Sequence, residues 1–216
     1  MKITVIGAGN MARGIATRAL AGGHTVTITA KDADKAVRLA DELREQNHGD
    51  GPVGAADDLA VDDADIVILA VPFEAAKQLA ASYGARLNGK VLVDISNPVD
   101  TSLDALVVAP GTSAAEQIAA AAPPQARVVK AFNTTFATTL AAGEVHGTPL
   151  DVFIAGDDEA ARRKVADLVR SGGLNPVDVG ALKHARELEG FQLLHMALQI
   201  REGGHGWAST IKIIAS

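Results

Sequence analysis

The stretch MKITVIGAGNMARGIATRAL, Met1 to Leu20, decides the fold. Ile3 to Ile6 is a run of β-branched residues, as in a buried strand, and Met11 to Ala21 carries apolar residues at helical spacing until Gly22-Gly23 ends it. Between the two stands Gly7-x-Gly9-x-x-Ala12, with a further glycine at Gly14. Glycine pairs at this spacing are common by chance; a strand before them and a helix after them, at the start of the chain, make the pattern informative. Gly7 permits the tight turn, Gly9 lets a diphosphate approach the main chain, and Ala12 or Gly14 allows the helix to pack closely on the strand. The first-turn N–H groups then point outward at the positive end of the helix. The gap reads as the seat of a dinucleotide pyrophosphate, and the alternative is a glycine turn that holds no ligand.

Downstream the pattern repeats. Apolar runs at His24 to Thr29, Ile66 to Val71, Val91 to Ile95, Val128 to Phe132, Asp151 to Ala155 and Asn175 to Val179 read as strands. Helical patterns at Asp32 to Gln46, Glu74 to Ser82, Ser113 to Ala121, Thr135 to Ala142 and Asp158 to Val169 lie among them, with a loop at Asn47 to Pro52 and a short helix at Asp57 to Asp63. Such alternation marks an α/β protein built on a doubly wound parallel sheet covered on both faces, the NAD(P)-binding Rossmann fold. After Gly180 the pattern changes to one helix, Ala185 to Ile200, a glycine-rich loop at Gly203 to Trp207 and an apolar piece at Ile211 to Ile214. We therefore divide the chain into a dinucleotide-binding domain, 1–180, and a short helical C-terminal segment, 181–216. The segment is too small for its own core, so it must pack on the sheet domain or on a second subunit, and a homodimer is expected.

Composition narrows the partners. With 48% hydrophobic and 21% charged residues in 216, the chain is an ordinary packed globular protein, and a net charge of −6 offers nucleic acid no general attraction. It has no cysteine, which excludes disulfides, thiolate metal sites and thiol catalysis. No apolar stretch reaches membrane-spanning length and no leader pattern precedes the first strand, so a cytoplasmic protein that binds no membrane is expected.

Strand two decides between the dinucleotides. It ends Thr27-Ile28-Thr29-Ala30-Lys31, without the acid that accepts from the ribose hydroxyls of NAD. Lys31 and, one turn on, Lys35 suit the extra phosphate of NADP, although a slight shift would bring Asp32 to the ribose instead. The other strand ends carry Ala70-Val71-Pro72-Phe73, Ser96-Asn97-Pro98 and Phe132-Asn133-Thr134, which would line a crevice with amide, hydroxyl and apolar groups suited to a nicotinamide and a flat partner ring. Taken singly, Pro72 and Pro98 also read as strand stoppers and Asn133 as a helix cap. No Ser/His/Asp set, HExxH or carboxylate pair appears, and the six histidines are scattered and read as structural or exposed. A site without an evident acid or base suits hydride transfer between two rings that the protein need only align.

The segments Ile6 to Met11, Val93 to Pro98, Val129 to Thr134, Ala155 to Asp158 and Leu182 to Glu189 resemble the NADPH-dependent reductases of coenzyme F420, the 8-hydroxy-5-deazaflavin. The resemblance covers nearly the whole chain, and Lys130-Ala131-Phe132-Asn133-Thr134 is its most specific part. It implies reversible hydride transfer between NADP(H) and F420 in a homodimer whose C-terminal segment helps close the acceptor pocket. It also implies that Gly7, Gly9, Asn10 and Met11 hold the pyrophosphate, that Ala30, Lys31 and Lys35 meet the 2′-phosphate, and that Ala70, Val71, Pro72, Asn97, Pro98 and Asn133 border the nicotinamide. The same domain occurs in metalloreductases that pass electrons from NADPH to flavin, so FMN or FAD is the alternative acceptor. The opening also resembles pyrroline-5-carboxylate reductases, whose long helical dimerisation domain the residues after Gly180 are too few to supply. A nucleotide sensor that binds NADPH without turnover is the non-enzymatic alternative.

Overall fold

The computed structural model describes residues 1–46, 49 and 51–214. His48 and much of the loop expected at Asn47 to Pro52 lie outside them. The chain runs β1 (Lys2–Ile6), α1 (Asn10–Ala21), β2 (Thr25–Thr29), α2 (Ala33–Glu45), β3 (Val53–Ala55), β4 (Ile66–Leu69), α3 (Phe73–Tyr83), β5 (Val91–Asp94), α4 (Ala114–Ala121), β6 (Arg127–Lys130) and α5 (Ala137–Ala142). There follow a small hairpin, β7 (Glu144–Val145) and β8 (Thr148–Pro149), then β9 (Asp151–Gly156), α6 (Glu159–Ser171), β10 (Asn175–Gly180) and α7 (Ala185–Ile200). Asp58–Val61 forms a 3-10 turn where a short helix was expected.

Eight strands make one sheet in the order β10-β9-β6-β5-β4-β1-β2-β3. Side chains alternate between its faces. Ile66 and Ile68 join the core beneath α1, α2 and α6, whereas Val67 and Leu69 join the core beneath α3 and α4. Both faces are covered, so the middle strands are buried end to end, as β4 and β5 are.

The doubly wound α/β sheet is as expected and mostly parallel, with one pairing that departs from the expected direction. β1 to β6 pair in parallel wherever they meet, but β9 lies antiparallel to β6, Lys130 facing Ala155, and β10 follows β9 in parallel. A parallel neighbour needs a crossover helix laid over the sheet. Only the six residues of α5, about 9 Å of helix, follow β6, and they pack on α1: an added Cβ at Gly14 would lie 3.1 Å from the Ala137 carbonyl. Gly14 therefore serves helix against helix, not helix against strand. β3, an edge strand paired with β2, and the β7–β8 hairpin were not expected at all.

The C-terminal segment packs back on the sheet. Leu188 and Ile211 join Phe153, Ala155, Val177 and Val179 in a small cluster, and the Asp151 carboxylate accepts from the Ile213 N–H at 2.7 Å and from Lys212. α7 turns a polar row inward, Glu189, Gln192, His195 and Gln199, and leaves Phe191, Leu194 and Leu198 exposed. His195 is held between the Gln192 side-chain oxygen at 3.2 Å and the Ser209 hydroxyl at 2.9 Å, with the Phe136 ring 4.4 Å away.

Burial, with a smaller push from His205, holds the His195 pKa below 6.5. The folded protein thus keeps this ring neutral where the unfolded chain would take up a proton, so its contribution to stability is complete above pH 6.5 and declines as pH falls below it. The urea midpoint should fall between pH 7.5 and pH 5.5, in roughly the range where histidine titrates. It should fall less in His195→Gln. An equal fall in both proteins would exclude His195 as a source of the pH dependence.

Candidate functional site

The crevice opens where the strand order reverses, between β1 and β4, the place at which open α/β sheets bind ligands. Gly7, at φ +125°, donates its N–H to the Thr29 carbonyl at 2.8 Å, and a Cβ on it would lie 2.2 Å from the Ala70 carbonyl oxygen. Gly9 differs: a Cβ there would meet no atom within 4 Å. No packing within the described residues demands glycine at position 9, and the space beside it is open. α1 begins at Asn10 with no side-chain cap and no acid in its first turn, so its leading N–H groups face that space. Asn10 is exposed, its side-chain oxygen accepting from Arg13 at 2.8 Å, and Met11 is half-buried.

From Gly7 a cleft of about 840 Å³ runs between α2 and α3. Of the residues singled out in the sequence it takes in Gly7, Ala30, Lys31 and Val71. Its walls are Ala33 and Val37 on α2 and Ala75, Gln78, Leu79 and Ser82 on α3. The sequence reading missed these six; their i, i+3, i+4 spacing is a signal, but it does not tell a cleft wall from an ordinary core face. Lys35 lies outside the lining, its ammonium 3.8 Å from Asp32. The Asp32 carboxylate also accepts from the Lys35 N–H at the start of α2, so the acid that competed for the ribose serves as that helix's cap.

On the far side of the switch point, Ala70 and Val71 are half-buried, Pro72 is exposed and Pro98 is buried. Asn97 and Asn133 are locked together: the Asn97 amide donates to the Asn133 carbonyl at 2.9 Å, and the Asn133 amide donates to the Asn97 side-chain oxygen at 3.0 Å and to the Leu188 carbonyl at 3.3 Å. Asn133 thus ties the strand ends to α7. Phe132 just before it adopts φ +63°, a costly conformation for a side chain of its size. Ser96 Oγ, Asn133 Oδ1 and Thr134 Oγ1 are buried without a protein partner. Three orphaned polar atoms on adjacent strand ends are what a polar ligand group would satisfy.

Below this rim lies a buried ion cluster that the sequence reading did not single out. The Lys130 ammonium donates to Asp94 and to Glu189, each at 2.7 Å, and all three side chains are 0% exposed. Glu189 also accepts from the Ala114 and Ala115 N–H groups at the start of α4, at 3.0 and 3.4 Å. Burial pushes the Glu189 carboxyl up, against the pull of Lys130. The visible signal was a lysine inside an apolar strand.

The two glycines of the turn should respond differently. Gly7→Ala should cost about 2–4 kcal/mol, from the backbone clash and the positive φ. Gly9→Ala should stay within about 1 kcal/mol of the parent protein. Denaturant titration of both variants checks this, and equal losses would contradict the geometry.

The family model described as "NADP oxidoreductase coenzyme F420-dependent" matches residues 2–98. The F420-dependent NADP reductase of Methanothermobacter marburgensis is 33% identical over 211 residues, 93% of each protein. The rat metalloreductase STEAP3 is 32% identical over 192 residues, 89% of this chain, which spans 36% of that protein's length. The crystal structure of an Arthrobacter sp. FB24 protein, provisionally designated an F420-dependent NADP reductase, superposes with a TM-score of 0.77 at 32% identity, covering 92% of this chain and 93% of that one. Among the described residues no helix is long and apolar enough to cross a membrane.

Proposed function

The chain belongs to the family of F420-dependent NADP reductases, and from that premise we propose that it transfers hydride between NADP(H) and coenzyme F420. The observation that carries this reading is the open, uncapped start of α1 beside Gly9, continuous through Gly7 with the cleft that holds Lys31. When both are bound, the two coenzymes supply the redox chemistry: a hydride passes from nicotinamide C4 to deazaflavin C5, with a proton drawn from solvent. The protein's part is to bind and align. Main-chain N–H groups at Gly9, Asn10 and Met11, next to the turn at Gly7, offer a diphosphate the positive end of α1. Ala33, Val37, Ala75 and Leu79 give the adenosine half an apolar slot, and Lys31 at its mouth meets the 2′-phosphate beside Ala30. Lys35 contributes less, being engaged by Asp32. Ala70, Val71, Pro72, Asn97 and Pro98 border the nicotinamide, whose carboxamide is a suitable donor for the unpaired Asn133 Oδ1.

The C-terminal segment, 181–216, closes the acceptor side and forms the interface of a homodimer. Its support is the exposed row Phe191, Leu194 and Leu198 on α7, whose opposite face is tied to the rim through Asn133. Large apolar side chains repeating along one exposed face suit an isologous contact between two copies. A second reading, a flavin-linked reductase, takes its support from the likeness to STEAP3.

Mixed with NADPH, the protein should oxidise it in the presence of F420 and not in the presence of pyrroline-5-carboxylate; oxidation with FMN or FAD and not F420 would establish the second reading, and tight NADPH binding with no oxidation by any acceptor would make the protein a sensor. Lys31→Ala should raise KM for NADPH about tenfold or more, the loss of one charge-assisted hydrogen bond of roughly 1.5–3 kcal/mol, and leave KM for NADH nearly unchanged. Equal effects on both would mean that Lys31 does not read the phosphate. Leu194→Glu should shift the protein from dimer to monomer in sedimentation, and an unchanged mass would place the interface elsewhere.

A further inference from the structure

The ion cluster under the rim does more than fill the core. Its lysine carries three N–H donors, and three acceptors receive them: Asp94 Oδ2, Glu189 Oε1 and the main-chain carbonyl of Ser96. The second oxygen of Asp94 accepts the Ser96 N–H at 2.8 Å. Both main-chain groups of Ser96 are therefore held by one buried set of charges, where no water can substitute. The next residue is Asn97, whose side chain interlocks with Asn133, and Asn133 reaches the Leu188 carbonyl one residue before Glu189. The circuit closes from β5 through β6 to α7 and back.

We propose that Lys130 is a positioning residue for hydride transfer. Anchored by Asp94 and Glu189, it fixes the Ser96-Asn97 rim against which the nicotinamide ring is aligned, and through Glu189 it makes the docking of α7 a condition of that alignment. The inference rests on the hydride-transfer reading above. Buried ion pairs add little net stability over apolar residues of similar volume, so a charge set placed under a binding rim calls for a role in geometry. Hydride transfer is a reaction in which geometry decides the rate, since misplacing the reacting atoms by about 1 Å costs on the order of a hundredfold.

The test compares Lys130→Met and Glu189→Gln with the parent protein in two measurements. The first is hydrogen exchange of the peptides covering 93–99 and 131–136, with peptides from α1 and α2 as internal reference. Exchange of the rim peptides should rise about tenfold in Lys130→Met, and less in Glu189→Gln, while the reference peptides stay unchanged. The second is kinetic: kcat for NADPH oxidation with F420 should fall about tenfold or more, while the Kd for 2′,5′-ADP, which occupies only the adenosine cleft, stays within about twofold. A fall in kcat accompanied by an equal loss of 2′,5′-ADP affinity, or unchanged rim exchange in a folded variant, would overturn the proposal. If Lys130→Met does not fold, Glu189→Gln carries the same two measurements. If the parent protein fails to oxidise NADPH with F420, the functional reading fails, and the proposal falls with it as a statement about catalysis; the exchange data then still report whether the cluster holds the rim.

Discussion

There is no room for one more carbon atom between Gly7 and the carbonyl of Ala70. Three strand ends converge there: the Gly7 N–H donates to Thr29, and the Ala70 N–H donates to Ile6, each at 2.8 Å. With the main chains this close, the turn after β1 is short and α1 starts at Asn10, directly over the point where the strand order reverses. Ala12, Ala16 and Ala19, all fully buried, let the helix lie low on the sheet, and Gly14 lets α5 lie low on the helix. A residue with a side chain at position 7 would push β1 and β4 apart, and the crevice with them. The position of the uncapped start of α1 over the crevice is thus a consequence of backbone proximity, set by one missing Cβ.

α7 depends on a different constraint. Ala185 and Leu188 in its first turns pack on the core, but from Glu189 onward its buried side chains are polar and its exposed ones, Phe191, Leu194 and Leu198, are apolar, the reverse of a helix that covers a core. The inward row is tolerated because each member finds a partner: Glu189 has Lys130 and two N–H groups of α4, His195 has Gln192 and Ser209, and Gln199 has Ser209 and the Trp207 N–H. Removing a single partner from the buried cluster would leave an uncompensated charge, at a cost of about 3–5 kcal/mol. Beyond Leu188 the helix is therefore specified by polar matching more than by hydrophobic burial, which fixes its register on the strand ends and leaves Phe191, Leu194 and Leu198 facing outward.

Much of this was legible in the sequence, for a physical reason. Strands buried on both faces must be almost wholly apolar, as Ile66 to Leu69 and Val91 to Val93 are, and the helices between them announce their starts with Asp32, Ser113 and Asp158, each a side-chain cap in the structure. What escaped depends on contacts distant in the chain. The direction of β9 follows from α5 docking on α1, which no local pattern encodes. β3 has three residues after Gly51-Pro52, too few to show alternation, and its pairing is decided by β2. The turn glycines of the site were visible as spacing. The cleft walls on α2 and α3 were not, because residues facing a ligand and residues facing a core obey the same periodicity. Lys130 stands in the sequence as one residue of a motif, and its partners arrive from β5 and α7, far away in sequence.

The caps also bear on where the protein leaves its backbone free. α2, α4 and α6 begin under a side-chain oxygen from Asp32, Ser113 and Asp158, so their N–H groups are served from within the chain. α1, α3 and α5 begin without one, after Gly9, Pro72 and Phe136. All five of α1 to α5 start at the same edge of the sheet, since β1, β2, β4, β5 and β6 run parallel. A side-chain cap contributes about 1 kcal/mol, and of the uncapped starts the one after Gly9 opens on space that no atom of the described residues fills. Asp32 shows what such a cap does to an acid: both of its oxygens are directed to Lys35, one to the N–H and one to the ammonium. With that acid committed to its helix, the charged groups lining the cleft are Lys31 on one side and Asp57 and Asp58 on the other.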